Sequence, residues 1–547
     1  MTVAVRDDRR GEHSAAAALP WTTVDTLAAV LLTLLALVPR TVNLLGLDPF
    51  VDEASWTDWA FRLFDPTAPR TWIIPVVTDG RPPLFVWLMV PFGALVDNGI
   101  LAGRLTAAVA GAVSAAALYA LGREVASRTL GVNAAILWAV SPYSVLFARI
   151  AADDALLTLL TILVTWTSVC LARRPTTTSG ALCGLSLALA VLAKTTGVML
   201  AVAPPLVIVM LGRPFQWRIY VRPLVAAVVA GLVVSAPLLL GVSAMLQQVA
   251  IHTASGDAGG RELLRPNLEV AAGWAETFLG NRFLLLVLVG LVLALALRQW
   301  ALLFTALLGG SLLLVLLAVT SPLFARYMLF VSFPAYLLAA CPIERASRLV
   351  RHLPALTGPR AARLGLVAGI VVVLGLAVAL EEQAELALAI VQDPVNATIP
   401  GSEHMGYVEN WYAAHGLGQV VDELRARSRE RPLTVLVPPA SRESRVMIPY
   451  GALRMYLRRM PNVRVVEAPS LWRAQDLREL RRLAASGPTY LVVNGSYTPG
   501  SGMPNDVPAY TRQLERRLAQ DLPEAREVLR IPRPLAPNWL SLYRLDP

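Results

Sequence analysis

Charge is scarce in this chain. Of its 547 residues only 16% are Asp, Glu, Lys or Arg, whereas 56% are hydrophobic and the mean hydropathy is +0.56. A soluble fold of this length needs far more polar surface, so most of about the first 380 residues must sit in lipid. Cysteine is just as sparse. Cys170, Cys183 and Cys341 all fall in apolar stretches, which excludes a disulfide framework or a cysteine-based zinc cluster in the polar C-terminal region. No GxGxxG or P-loop sequence opens a helix of that region, so no nucleotide is expected there. Acidic residues are in deficit, giving a formal charge of +10. Many of the arginines stand in short loops between apolar runs, where positive-inside bias puts them, so the excess does not imply a nucleic-acid partner. Nor is there a small-residue cleavage site after the apolar run that follows Arg6, Arg9 and Arg10. That run reads as a retained first helix starting in the cytoplasm.

What the chain does have is long apolar runs. They recur near 24–47, 101–121, 130–148, 155–172, 180–195, 196–212, 223–242, 282–297, 300–319, 325–341 and 363–380. Their basic connections are 122–128, Arg173-Arg174, Arg213 to Arg222, Arg298, and Arg345 to Arg363. Placing all of these in the cytoplasm predicts about eleven spans and sends the termini to opposite sides. The apolar stretch 82–96 is too short to cross and reads as a re-entrant or interfacial helix with its proline pair in the first turn. The expected organisation is a cytoplasmic tail over 1–23, a membrane domain over 24–381 and an extracytoplasmic domain over 382–547. Segments 48–81, 149–154, 243–281 and 321–326 then all face outward.

The last of these domains has a different texture. Short apolar runs at Leu433–Val437, Val463–Glu467, Tyr490–Asn494, Glu527–Ile531 and Leu540–Leu545 predict strands. Helical patterns at Ile448–Arg459, Ala474–Ala485 and Ala509–Ala519 lie between several of them, which predicts an α/β domain with a largely parallel sheet.

The outward segments carry the ionisable groups. Asp52-Glu53 follows the first span, and charge at a membrane boundary is costly enough to mark function. The competing reading is a helix N-cap with Glu53 aiding the first turn, and the two roles are compatible. Asp153-Asp154, where another span begins, faces the same alternatives. Arg81, Arg149 and Arg326-Tyr327 put cations on the side where arginine is disfavoured, which points to an anionic ligand such as phosphate. Snorkelling to lipid headgroups is the bland alternative. His252, in the outward loop 243–281, is a candidate for binding metal or substrate, although a lone histidine in a polar loop is more often neither.

Taken in order, Asp52-Glu53-Ala54, Arg81-Pro82-Pro83-Leu84, 102–106 (AGRLT), Ser141-Pro142, 149–157 (RIAADDALL), Leu192-Ala193-Lys194 and Ala325-Arg326-Tyr327 followed by Pro334 resemble the GT-C membrane glycosyltransferases. The resemblance covers about residues 25–345 and is nearest to the family 39-like group of protein O-mannosyltransferases and aminoarabinose transferases. It implies a sugar taken from a polyprenyl-phosphate donor on the outer face, with inversion at the anomeric centre. It also implies Asp52 as the catalytic carboxylate of the first outer loop, with Glu53 as the fallback, and Asp154 as the acid of the second. Arg81 would match the usual Lys or His before the proline pair. The outward position of Arg149, Arg326 and Tyr327 makes them, with Arg81, the candidate substrate-binding residues. Where the aminoarabinose branch has a zinc-holding glutamate this chain has Gly80, so a divalent metal stays open with no clear ligand set.

A polyprenyl phosphate is already a good leaving group. The chemistry therefore needs a base for the acceptor hydroxyl and fixed positive charge for the departing phosphate. The expected partners are the lipid-linked donor, membrane lipid and a glycan, lipid or protein acceptor, in the plasma or inner membrane. A transporter or a flippase for lipid-linked sugars is the rival reading; it would more often show an inverted repeat and charge at the midplane.

Overall fold

The computed structural model describes residues 20–63, 72–73, 75–76, 80–212, 216–252, 260–352, 377, 380–409, 413–437, 450–457, 460–467, 474–494, 515–516, 518–532 and 539–545. The predicted tail over 1–23 and the predicted span over 363–380 lie almost wholly outside them.

Local chemistry sets the helix starts. Thr22 and Asp25 form a capping box ahead of the helix Thr23–Thr41. Asn98 accepts from the amides of Ile100 and Leu101, at 2.9 and 3.3 Å, to open Gly99–Val125. That helix and Asp154–Arg173 form the buried centre of the bundle. Small residues let neighbours close in. A Cβ on Gly180 or Gly184 would stand 2.0 or 1.9 Å from the carbonyl oxygens of Pro223 and Ala227, so Thr177–Ala193 and Arg218–Ser235 pack backbone to backbone.

The chain is a multi-pass membrane protein. Among the described residues six helices are long and apolar enough to cross, or seven if the bent pair Ala325–Val331 and Phe333–Arg348 counts as one span. The expected eleven is not reached. Several predicted spans are instead shorter apolar helices, such as Arg128–Val140, Thr177–Ala193 and Thr195–Leu211. The stretch predicted as re-entrant or interfacial is the 12-residue helix Leu84–Leu95.

The C-terminal domain has five strands, β1 (Leu433–Val437), β2 (Val463–Glu467), β3 (Thr489–Asn494), β4 (Ala525–Pro532) and β5 (Trp539–Leu545), in the order β2-β1-β3-β5-β4. β1 pairs in parallel with β2 and β3, but β5 runs antiparallel to both β3 and β4. The sheet is therefore mixed rather than largely parallel. The six residues between β4 and β5 are too few for a crossover, which forces an antiparallel return.

This domain is fastened to the first loop of the membrane domain. The Asp48 carboxylate accepts from the amides of Gly416 and Gly418, at 2.7 and 2.9 Å, at the start of the helix Leu417–Ser428. The Ala414 amide donates to the Pro49 carbonyl at 3.1 Å. The chain enters the next helix, Val51–Arg62, directly from this clamp.

Candidate active site

That helix starts with Phe50 in an extended conformation and Asp52 and Glu53 in its first turn. The two carboxylates diverge. Glu53 is 1% exposed and takes four donors: Arg104 Nε at 2.9 Å, Arg104 Nη2 at 2.7 Å, the Ala151 amide at 2.6 Å and the Phe50 amide at 2.9 Å. Arg104 is equally buried and gives Nη1 to the carbonyls of Leu44 and Leu47. Glu53 thus caps its own helix and locks it to the helix Gly99–Val125. Both of its oxygens are engaged by protein donors, unlike the position expected of a catalytic carboxylate.

Asp52 points the other way, and its side chain keeps 27% exposure. Its Oδ2 lies 3.0 Å from Arg326 Nη2, and its Oδ1 lies 3.8 Å from Arg81 Nη2. Arg326 continues the network, with Nε 3.8 Å from Asp154 Oδ2 and Nη1 donating to the Tyr407 hydroxyl at 3.1 Å. Lys194 Nζ contacts Asp154 Oδ1 at 2.5 Å and Asp153 Oδ1 at 2.9 Å. Burial holds the Asp153 carboxyl above its usual range even though Lys194 pulls it down. Three cations and three carboxylates from five separated segments meet at one end of the bundle.

Aromatic rings fix where the cations sit. The Arg326 guanidinium lies 4.9 Å from the Phe50 ring centre, 5.0 Å from Phe324 and 5.4 Å from Tyr327. Tyr327 also faces Lys194 Nζ at 4.9 Å. Arg81 stacks near Trp56 and Trp59, at 5.4 and 5.8 Å. The short turn Ala325–Val331 that carries Arg326 is held from both sides: the Ala325 amide donates to Glu403 Oε1 at 3.2 Å, and its carbonyl accepts from the Tyr143 hydroxyl at 2.5 Å.

Arg149 does not join the cluster. Its donors go to the carbonyls of Pro39, Val42 and Asn43, at 2.6 to 2.8 Å, closing the C-terminal end of the helix Thr23–Thr41. That spends its guanidinium on backbone, apart from the cluster where it was expected. His252 ends the helix Val242–His252. Among the described residues no three His, Cys, Asp or Glu side chains group as a metal site. Gly80 has φ +64°, and a Cβ there would stand 2.2 Å from the Ala244 carbonyl oxygen, so this backbone does not admit a glutamate at the position.

Glu403, Tyr407 and the role of Lys194 were not foreseen. Lys194 had a signal, because it is the single lysine among 48 basic residues. Tyr407 had none, since it lies 81 residues beyond Arg326 and only tertiary folding joins them.

Residues 80–240 match the family model for dolichyl-phosphate-mannose-protein mannosyltransferase. No curated protein sequence matches the chain significantly. Solved structures do match by shape. ArnT from Cupriavidus metallidurans bound to undecaprenyl phosphate aligns over 95% of this chain and 98% of its own, with TM-score 0.57 and 16% identity. The chain has the GT-C fold. The oligosaccharyltransferase AglB from Archaeoglobus fulgidus, in complex with an inhibitory peptide and a dolichol-phosphate, aligns over 86% of this chain and 69% of its own, with TM-score 0.51 and 12% identity. The GT-C resemblance drawn from the ordered motifs is thus matched across nearly the whole chain, C-terminal domain included.

Proposed function

We propose that this protein is an inverting glycosyltransferase that moves a sugar from a polyprenyl-phosphate donor to an acceptor on the outer face of the membrane. The observation that carries the reading is Asp52, a partly exposed carboxylate held 3.0 Å from a buried arginine and 3.8 Å from a second. The lipid phosphates bound to ArnT and AglB support a lipid-linked donor.

The acceptor hydroxyl oxygen attacks the anomeric carbon from the side opposite the phosphate. As that bond forms, the carbon–oxygen bond to phosphate breaks and the phosphate keeps the electron pair. Asp52 takes the hydroxyl proton. Arg81, Arg326 and Lys194 stabilise the charge that grows on the phosphate, while Asp153 and Asp154 hold Lys194 in place. The Tyr327 ring lies against both Lys194 and Arg326 and fixes their spacing. The C-terminal region lends this end of the bundle Glu403 and Tyr407. The N-terminus lies in the cytoplasm and the C-terminal domain outside it.

Purified protein given a radiolabelled polyprenyl-phosphate sugar tests the reading. Label passing to an acceptor, and not doing so with Asp52→Asn, is the expected result. Inactivity across donors and acceptors together with substrate flux in vesicles would establish the transporter instead.

A further inference from the structure

A second concentration of charge lies at the other end of the same helices. Asp154 and Arg173 are the first and last residues of one 20-residue helix. A rise of about 1.5 Å per residue separates the two ends by roughly 28 Å. Beside Arg173 is a cavity of about 330 Å³ lined by Arg173, Arg345, Arg348, Gln299, Trp300 and Leu211, among others. Such a volume suits a small ligand.

The charges around it do not balance. Arg173 and Arg174 both pair with Glu124, and Arg348 pairs with Glu344. Among the described residues Arg345 has no carboxylate partner; its Nε is buried without a hydrogen-bond acceptor, and the rest of its guanidinium lies beside the Cys341 thiol. Gln299 also lines this space, and its Oε1 is a buried acceptor without a donor among the described residues. The buried Arg345 donor left in this state asks for an acceptor. The wall is also partly apolar, with Val125, Leu211 and Ala301. Trp300 is half-exposed at the first residue of the apolar span Trp300–Val319, the level at which tryptophan marks a membrane–water boundary.

We propose that this cavity binds the phosphate headgroup of an anionic lipid in the leaflet facing away from the catalytic cluster. Arg345 donates to the phosphate oxygens, Arg173 and Arg348 supply flanking charge, and the acyl chains leave along the apolar wall beside Trp300. Basic pockets between spans recognise lipid headgroups in this way.

The test uses the full-length protein in neutral detergent, with phosphatidylglycerol, phosphatidylcholine or inorganic phosphate as probes. Binding is read by native mass spectrometry and by thermal melting. Phosphatidylglycerol should bind preferentially, raise the melting temperature and be loosened by salt on the wild type, which needs no variant to fold. Arg345→Gln should weaken its binding about tenfold, and Arg345→Lys should restore most of it. Equal retention of phosphatidylglycerol and phosphatidylcholine by the wild type, or equal retention of phosphatidylglycerol by wild type and Arg345→Gln, would overturn the proposal. Stabilisation by inorganic phosphate equal to that by the lipid at the same concentration would overturn the lipid assignment in favour of a soluble anion. None of these readouts depends on glycosyl transfer.

Discussion

Replacing Glu53 by Gln should unfold this protein far more readily than it disables it, the opposite of what is expected at the neighbouring Asp52. Glu53 accepts four hydrogen bonds in a site with 1% exposure, two of them from the buried guanidinium of Arg104. Glutamine keeps one acceptor oxygen and turns the other into a donor that faces donors. It also strips Arg104 of the carboxylate it pairs with, leaving the charge supported by backbone carbonyls. Breaking a buried pair in this way costs about 3–5 kcal/mol, a factor of about a hundred to several thousand in the folded-to-unfolded ratio. Thermal and denaturant unfolding in detergent would show the loss, with specific activity measured on the fraction that stays folded. Pairing Glu53→Gln with Arg104→Met should recover part of the stability and no more, because Arg104 also satisfies the Leu44 and Leu47 carbonyls. A Glu53→Gln protein that melts like wild type yet transfers no sugar would refute the structural role and return Glu53 to the chemistry.

Other expectations follow from the same geometry. Asp52→Asn should lower turnover by about a hundred- to ten-thousand-fold with an unchanged melting temperature, and near-normal turnover would remove it as the base. Arg81→Ala and Arg326→Ala should raise the donor KM about ten- to a hundredfold at fixed acceptor; an effect on acceptor KM alone would reject the phosphate role. Gly80→Glu should destabilise, since its φ of +64° costs any side chain about 1–3 kcal/mol before the contact with Ala244 is counted, and a fully stable, active variant would show that the turn relaxes. Burial raises the Glu403 carboxyl, so the folded state favours its protonated form. Wild type should therefore match Glu403→Gln in stability below the usual glutamate range and fall behind it as pH rises through the raised value. Melts at about pH 4 and about pH 8 would show this, and a gap that closes at the higher pH would contradict it.

The residues that form the cluster were legible as charges at the ends of apolar runs, and Asp52, Arg81, Asp154 and Arg326 do meet there. What sequence could not supply was direction. Asp52 and Glu53 are neighbours, yet a helix turns about 100° between them, so one faces Arg326 and Arg81 and the other the core. Arg149 has the same sequence signature as Arg326. It differs only because three carbonyls at the end of the helix Thr23–Thr41 reach it first. The five predicted strands coincide with the observed ones to within two residues at either end. Their pairing was missed, although the short β4–β5 connection already contained the answer. Tyr407 and Glu403 were invisible because their partners stand 81 and 78 residues away, on another domain.

Lys194 has a consequence outside the reaction itself. With 47 other basic residues all arginine, the whole chain offers only one side-chain amine. Two carboxylates hold that amine as an ammonium, which has no lone pair to give an acylating reagent. Covalent labelling at this position therefore reports on the cluster alone. The rate of modification reads, without any mutation, how firmly Asp153 and Asp154 grip their proton-bearing partner, and how that grip changes when a phosphate enters beside it.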